Sequence, residues 1–156
     1  MLPAPEEIVT ILTQSLPGVA VTVEGGALII EAKDVINICR LLKDDARFGL
    51  DYLSDLTAID YPPDRLDVVY HLYSMANKHG PLTLKTKLPR SIPNVPSVTP
   101  IWRGAEFQER EAYDLFGVIF EGHPDLRRIL MWEGFEGYPM RKDYVVEDQD
   151  QLERPA

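Results

Sequence analysis

Two glutamates near the middle of the chain, Glu109 and Glu111, have the residue types of an acid–base catalyst, because paired carboxylates can share a substrate proton. A helix is predicted over residues 104–116, and at roughly 100° per residue it places these two side chains roughly 200° apart. The pair therefore cannot act on one substrate. Glu106 lies closer to Glu109, but Arg110 beside them should keep both carboxylates ionised. We expect a salt-bridged helix surface here rather than a catalytic pair.

The histidines and the single cysteine stand too far apart in the sequence for a metal site. Zinc and iron–sulfur clusters need ligands in closely spaced pairs, whereas His71, His79, His123 and Cys39 are scattered. No glycine-rich phosphate loop occurs, and Cys39 lies in an apolar helical pattern that predicts a buried, unreactive thiol. Structural roles are expected for His71 and His79. For His123 we expect a structural hydrogen bond, with an interface switch as the alternative. We predict no catalytic, cofactor-binding or metal-binding residue within this chain.

The C-terminal third combines basic and aromatic side chains in the manner of a protein-binding surface. Arginine binds carboxylates through paired hydrogen bonds, and aromatic side chains dominate the energetic centres of interfaces. Residues 119–140 contain glycines and prolines but little apolar periodicity, so a partner is expected to order them. The alternative is a solvated loop braced by nearby acids. The side chains concerned are Arg127, Arg128, Arg141, Lys142, Trp132, Phe135, Tyr138 and Tyr144.

The predicted helix over residues 104–116 has one apolar and one charged face. Glu106, Arg110 and Asp114 form a surface ladder with a spacing of four residues. Phe107 falls among these charges, opposite the apolar stripe, and is either an ordinary exposed aromatic or an interface anchor. The predicted core-facing stripe consists of Ile101, Ala105, Ala112, Leu115 and Phe116.

Composition excludes several classes of function. The net charge of −9 disfavours a nucleic-acid-binding protein, which needs basic residues to neutralise phosphates, and it disfavours direct adhesion to anionic lipid. No stretch approaches the roughly 20 apolar residues of a membrane helix, so any membrane association should go through partners. The start of the chain lacks the basic residues of a secretory signal, and a single cysteine suits a reducing compartment.

The first half of the chain predicts two helices and a hairpin. A short helix precedes Pro17, and alternating valines around a glycine pair predict a β-hairpin over residues 19–31. Asp34 should cap a second helix that stops at Gly49. Helices and hairpin of this kind bury their apolar faces against one another in a single core.

The second half predicts a sheet. Residues 66–73 and 82–88 alternate between apolar and polar types, which predicts two antiparallel strands, whereas residues 52–60 are ambiguous. The fold class is therefore α+β, a single domain with helices packed on a mixed or antiparallel sheet. We expect a core domain over residues 1–118 and an extended C-terminal docking segment over residues 119–156.

Residues 104–144 follow the pattern of a known family. The matching polar and aromatic positions are Glu109, Arg110, Glu111, Asp114, His123, Arg127, Arg128, Arg141, Lys142, Asp143 and Tyr144. In this stretch the chain resembles the 30-kilodalton subunit family, the C-type subunit, of the proton-pumping NADH-quinone oxidoreductase, respiratory complex I. The earlier residues match more weakly, chiefly in Leu56-Thr57-Ala58-Ile59-Asp60.

The resemblance implies a peripheral-arm subunit that supports electron transfer from NADH to quinone coupled to proton translocation. A member of this family braces the quinone-site subunit, which is the D-type, 49-kilodalton subunit, near the iron–sulfur subunits. NADH, FMN, iron–sulfur clusters and quinone would be held by these partners and not by this chain. The chain would take part in the enzyme only as one of its subunits, on the cytoplasmic face of the membrane.

Two alternatives stay open. Equivalent subunits occur in membrane-bound energy-converting hydrogenases, in ferredoxin- or F420-dependent complexes and, as the J-type subunit, in the photosynthetic NDH complex. A free-standing protein-binding module is the more distant alternative. Trp132, Tyr138 and Met140 depart from the residues common in the family, so residues 132–140 should follow their own path.

Overall fold

A computed structural model of the chain describes residues 1–145, so residues 146–156 of the predicted docking segment lie outside the described residues. Within residues 1–145, three helices and seven strands follow one another in an α+β order, which confirms the predicted fold class. A short 3₁₀ turn, Ala32–Asp34, precedes α2. The elements are α1 Pro5–Ser15, β1 Val21–Glu24, β2 Ala27–Ile30, α2 Val35–Asp44, β3 Tyr52–Tyr61, β4 Arg65–Ser74, β5 His79–Pro89, β6 Asn94–Pro96, α3 Ala105–Phe116 and β7 Ile119–Glu121.

The main sheet has five strands in the order β1-β2-β5-β4-β3. It is mixed, because β2 runs parallel to β5 while the other neighbours are antiparallel. The predicted hairpin forms β1 and β2, and the ambiguous residues 52–60 form β3. A second, parallel pair joins β6 to β7, so the first three residues of the predicted docking segment pair with residues 94–96.

Alternation in the strands and helical spacing in α1 and α2 place the apolar side chains in one core. In β4, Leu66, Val68, Tyr70 and Leu72 are fully buried, and α2 adds residues such as Cys39. Burying one such aliphatic side chain contributes about 1.5–3 kcal/mol to stability. Burial also raises the pKa of the Cys39 thiol well above its usual value, as expected for an unreactive cysteine.

Two expectations about α2 are wrong. The helix ends at Asp44 rather than at Gly49, because the chain turns through residues 45–49 with the N–H of Gly49 donating to the Asp45 carbonyl at 2.8 Å. Asp34 makes no side-chain capping bond. The 3₁₀ turn that leads into the helix occupies the place where a cap was expected.

Helix α3 packs along β3, which is an edge strand of the main sheet. Gln108 Oε1 accepts a hydrogen bond from the backbone N–H of Leu56 at 2.5 Å. An edge strand with unpaired N–H groups is a template for unwanted pairing, and the helix covers part of it. This contact also fixes α3 against the sheet. The C-terminal end of α3 then lies beside residues 129–131 of the C-terminal segment.

Candidate docking site

The C-terminal end of α3 is built to let another part of the chain approach closely. Gly117 ends the helix in the left-handed conformation, with φ of 80°, and its N–H donates to the Tyr113 carbonyl at 2.8 Å. A Cβ atom at this position would lie 2.6 Å from the ring of Tyr138 and 2.9 Å from the guanidinium of Arg141. Glycine is therefore required here both for its conformation and for the space it leaves.

Asp114 is fully buried at this end of α3 and holds the returning chain. Its carboxylate accepts hydrogen bonds from Arg128 Nη1 at 2.8 Å and from the backbone N–H groups of Ile129, Leu130 and Met131 at 3.1, 2.6 and 2.8 Å. Burial works against the charged form, but the guanidinium and these N–H groups prevail and hold the pKa of Asp114 below its usual value.

Arg110 is also buried, one turn before Asp114. Its Nε donates to the Arg127 carbonyl at 3.1 Å and its Nη2 to the Arg128 carbonyl at 3.0 Å. The predicted surface ladder of Glu106, Arg110 and Asp114 is therefore wrong for two of its members. The reason is that residues 126–131 return across this face of α3 and exclude solvent from it.

The arginine pair of the motif divides between two roles. Arg128 is mostly buried, pairs with Asp114, and donates from Nη2 to the Gly137 carbonyl at 2.7 Å. Arg127 is exposed and pairs with Asp125 at 2.8 Å on the surface. The expectation that both arginines wait for a partner's carboxylates is wrong for Arg128, because its charge is already neutralised within the chain.

We expect the two arginines to differ in their effect on folding. Arg128→Ala leaves the buried Asp114 carboxylate without its charge partner and should lower the free energy of unfolding by about 3 kcal/mol. Arg127→Ala removes a solvated, screened ion pair and should leave the free energy of unfolding nearly unchanged. Urea unfolding of the two purified variants measures both values. Equal losses would contradict this division of roles.

A second set of bonds returns the chain to the same end of α3. The N–H of Met140 donates to the Leu115 carbonyl at 3.1 Å, and Arg141 Nε donates to the Phe116 carbonyl at 2.7 Å. Residues 128–141 thus leave and rejoin the molecule at one place. We call this stretch the anchored loop.

Arg90 fastens the chain just after the anchored loop. It donates to the buried Asp60 carboxylate at 2.7 and 3.1 Å and to Asp143 at 3.0 and 2.5 Å. The N–H of Lys142 also donates to Asp60 at 2.8 Å, and the Lys142 ammonium lies 5.6 Å from the Tyr61 ring centre. These bonds, led by the one from Arg90, lower the pKa of Asp60.

Arg90 was not anticipated from the sequence. Asp60 gave a weak indication of a buried ion pair. It lies on the same, core-facing side of β3 as Leu56 and Ala58, and a carboxylate buried there needs a partner. Nothing about Arg90, a lone basic residue after Pro89, points to that partner. The two residues are 30 positions apart and meet only through the sheet.

Aromatic side chains of the anchored loop contact one another and Tyr144, which follows the loop. Trp132 meets Phe135 edge to face with ring centres 4.9 Å apart, and Phe135 stacks on Tyr144 at 6.2 Å. The Arg128 guanidinium lies 5.3 Å from the Phe135 ring and 5.4 Å from the Tyr138 ring. Phe135, Tyr138 and Tyr144 are half-buried here, whereas Trp132 is exposed, and a role of these aromatic side chains in an interface stays a prediction.

These bonds contradict the expectation that residues 119–140 need a partner to order them. The loop folds against its own domain through buried polar contacts at both ends. Four of the side chains that it exposes are large and apolar, beside the exposed Glu133 and Glu136. They are Ile129, Leu130, Trp132 and Met140, and we call these four side chains the apolar loop surface. Phe107 on α3 is exposed as well, with the Arg110 guanidinium 5.8 Å from its ring centre. The side chains of Glu111, Lys142 and Asp143 also reach solvent.

Glu109, the residue before Arg110 on α3, is fully buried. It accepts hydrogen bonds from Ser97 Oγ at 2.6 Å and from the N–H of Val98 at 2.7 Å. Burial raises its pKa to about 7, against the lowering effect of these two bonds. The expectation of an ionised, salt-bridged surface glutamate is therefore wrong, because the 97–99 segment and the turn at His123 cover this side of α3.

His123 performs the structural role expected of it. Its Nε2 lies 2.9 Å from the Glu106 carbonyl oxygen, and its Nδ1 accepts the N–H of Asp125 at 2.9 Å. These partners select the tautomer that carries its hydrogen on Nε2. The other histidines are also placed by local contacts: His71 lies 3.4 Å from Asp55, and His79 Nε2 lies 2.6 Å from the Phe48 carbonyl.

The raised pKa of Glu109 predicts a pH-dependent stability. The folded state holds this proton up to about pH 7, whereas the unfolded state releases it near 4.5. The free energy of unfolding therefore falls as the pH rises through this window, by up to roughly 3 kcal/mol, and the loss is complete above it. Glu109→Gln should remove this slope. Denaturant unfolding of both proteins between pH 5 and 8 tests it, and parallel pH profiles would contradict the prediction.

Within the described residues, 1–145, there is no group of three or more histidine, cysteine, aspartate or glutamate side chains that could hold a metal ion. The same residues include no helix both long and apolar enough to cross a membrane.

The chain is similar to proteins of known kinds. Residues 28–150 match the family described as the 30 Kd subunit of respiratory-chain NADH dehydrogenase. The chain is 48% identical over 122 residues to the second C-type subunit of NADH-quinone oxidoreductase from Rhizobium meliloti (strain 1021), an alignment that covers 77% of this chain and 66% of that protein. It is 44% identical over 124 residues to the C-type subunit of the Moorella thermoacetica enzyme, covering 79% of this chain and 82% of the relative. Some relatives are much longer, and the chain spans 46% of the Chloroherpeton thalassium protein.

Two solved structures share the fold. One, from the membrane-bound sulfane sulfur reductase, an archaeal respiratory membrane complex, superposes with a TM-score of 0.73 at 26% identity and covers 94% of this chain and 89% of its own. The other is a trypsin-resistant fragment (1–134) of Nqo5, with a TM-score of 0.58 at 30% identity, covering 80% of this chain and all of the fragment. With the family match over residues 28–150, these likenesses mean that the chain belongs to the 30-kilodalton subunit family of respiratory-chain NADH dehydrogenase.

Proposed function

We propose that this chain is the 30-kilodalton, C-type subunit of an NADH-quinone oxidoreductase, respiratory complex I, and that it acts there as a cofactor-free brace. The observation that carries the proposal is the anchored loop, which binds Arg128 and Arg141 inward and exposes the apolar loop surface. The relatives that bear the name of this subunit supply the identity of the complex. The chain's own contribution is to hold partner subunits, not to perform chemistry.

The arrangement suits docking for a physical reason. Association costs free energy when loops must be ordered, and here the loop is already tied to the domain at both ends. Its buried charges are paired internally, so a partner need not supply a countercharge. The exposed leucine, tryptophan and methionine can then bury against a complementary apolar surface, as in the centre of a stable interface.

The partners we propose are the quinone-site subunit, which is the D-type, 49-kilodalton subunit, and the neighbouring iron–sulfur subunits. NADH, FMN, the iron–sulfur clusters and quinone are held by these partners. Electrons then pass from NADH to quinone without entering this chain, and proton translocation is driven elsewhere in the complex. The chain sits on the cytoplasmic side of the membrane and reaches it only through its partners.

A second candidate is the role of equivalent subunit in a related membrane complex. The structural likeness to the membrane-bound sulfane sulfur reductase, which covers 94% of this chain, favours it. In that case the anchored loop would brace a partner of the same kind, but the electron donor and acceptor would differ.

Purification of the complex through this chain distinguishes the two candidates. The full-length chain, tagged and expressed at its native level, is extracted from membranes in mild detergent and its partners are identified by mass spectrometry. We expect a 49-kilodalton-type subunit together with an NADH-binding flavoprotein subunit. Recovery with hydrogenase or sulfur-reductase subunits would favour the second candidate. A chain that elutes without any such partner would contradict both.

A further inference from the structure

A short turn, residues 122–125, covers the buried carboxyl of Glu109. His123 Nε2 lies 3.9 Å from Glu109 Oε2, and neither side chain is exposed to solvent. The turn begins at Gly122, with φ of 81°. His123 lies against the Glu109 carboxyl, so departure of the turn would let water reach Glu109.

Apart from His123, the groups that face Glu109 from its neighbours include no lysine or arginine among residues 1–145. Tyr70 approaches from β4, and its hydroxyl is buried with no hydrogen-bond partner among residues 1–145. Cys39 of α2 lies near Tyr70 and is buried too. Arg110, the next residue on α3, directs its guanidinium to the carbonyls of residues 127 and 128. The carboxyl is thus shielded from water, and residues 1–145 offer it no lysine or arginine partner.

The hydrogen bonds around Glu109 can accommodate both of its protonation states. Ser97 Oγ donates to the carboxylate at 2.6 Å and lies 2.8 Å from Thr99 Oγ1, where either hydroxyl can be the donor. When the carboxyl is protonated it can donate to Ser97, and Ser97 can then donate to Thr99. Neither state leaves a broken bond. The Ser97 and Val98 donors favour the ionised carboxylate, and burial, the larger effect, favours the neutral carboxyl.

We propose that the 122–125 turn is a pH-sensitive lid over Glu109, shut while the carboxyl is neutral and loosened when it ionises. Opening hydrates the carboxyl, so the open form binds its proton less tightly than the closed form. By linkage, opening becomes easier as the pH rises between about 5 and 7 and changes little above that range. The other charged groups at the turn remain solvated in both forms. They are the Asp125–Arg127 ion pair and the side chains of Arg103 and Glu106.

The lid lies directly before the anchored loop. Leu126 packs against the core, and the carbonyls of residues 127 and 128 are held by Arg110. A looser turn therefore weakens the first attachment of the loop and leaves the bonds of Asp114 in place. This goes beyond the proposed docking function, because it makes the strength of one attachment depend on pH.

Amide hydrogen exchange of the full chain, read by residue between pH 5.5 and 8 and expressed as protection factors, tests the lid. The reporter is the N–H of Asp125, which donates to His123 Nδ1, and the control is the N–H of Gly49 in a distant turn. In the wild type the Asp125 protection factor should fall at least roughly tenfold across this range, with no matching change at Gly49.

Two variants decide the cause of any change. Glu109→Gln should abolish the pH dependence. Ser97→Ala removes a hydrogen bond that favours the ionised carboxylate, so it should move the midpoint of the change in protection factor to higher pH. If Glu109→Gln does not fold, Ser97→Ala alone tests the proposal. A wild-type protection factor that is constant with pH, an unchanged slope in Glu109→Gln, or an unmoved midpoint in Ser97→Ala would overturn the proposal.

Discussion

Replacing Asp114 by asparagine should lower the free energy of unfolding by roughly 3–5 kcal/mol and release the anchored loop. One carboxylate oxygen accepts three backbone N–H groups, and the other accepts Arg128. Asparagine has the same shape but only one acceptor oxygen. Its NH₂ group must face either the three N–H groups or the guanidinium, so donors oppose donors in a buried place.

Glu111→Gln is the matched control for this change. It makes the same chemical substitution on the same helix, but the Glu111 side chain is exposed, so the expected loss is below about 0.5 kcal/mol. Urea unfolding gives the two free energies, and hydrogen exchange at residues 129–131 reports the loop directly. If Asp114→Asn cost no more than the control, the carboxylate would not be the anchor we describe.

Much of the fold follows from local patterns. The alternation of residues 66–73 and the spacing in α1 and α2 specify their elements, because each pattern fits one periodicity well. Strand β3 was ambiguous for a reason visible in the structure: it is an edge strand, exposed at Tyr52, Asp55 and Tyr61, with an irregular register between Leu53 and Asp55. Partial burial and a bulge both blur the alternation.

The polar residues of α3 show where sequence reasoning stops. An angular projection of the helix assigns charged residues to solvent, and that holds for Glu111. Arg110 and Asp114 are buried because residues 126–131 return across the helix, a contact between positions that are 14–18 apart in the chain. No helical periodicity contains this information.

The family resemblance drew attention to charged residues that the structure uses inside the chain. Arg128, Arg141 and Asp114 bind this chain's own backbone and side chains. A dense charged motif can mark the internal framework of a docking loop, while the binding surface itself consists of the apolar residues between the charges. Substitutions of the charged residues should therefore lower the free energy of unfolding, whereas substitutions of the exposed apolar residues should weaken assembly.

The variant Leu130→Ser with Met140→Ser should leave folding intact and sharply reduce incorporation into the membrane complex. These side chains are 57% and 56% exposed in the isolated chain, so little core packing is lost. If a partner buries both, their loss costs on the order of 3 kcal/mol in association, a decrease of roughly a hundredfold in affinity. The backbone bonds of Leu130 and Met140 do not involve their side chains and remain.

Met75→Ser with Ile92→Ser supplies the comparison, because both side chains are 66% exposed and lie outside the anchored loop. This pair removes a similar amount of exposed apolar surface. Effects of non-specific hydrophobic association or of expression level on incorporation would therefore be the same in both variants. Incorporation is measured as the fraction of tagged chain that co-purifies with its partners, and unfolding midpoints verify that both variants fold. We expect the loop variant alone to be lost from the complex and NADH-driven quinone reduction to fall with it. Equal incorporation of the two variants would mean that the partner binds another face, and the anchored loop would then be a structural element of this domain only.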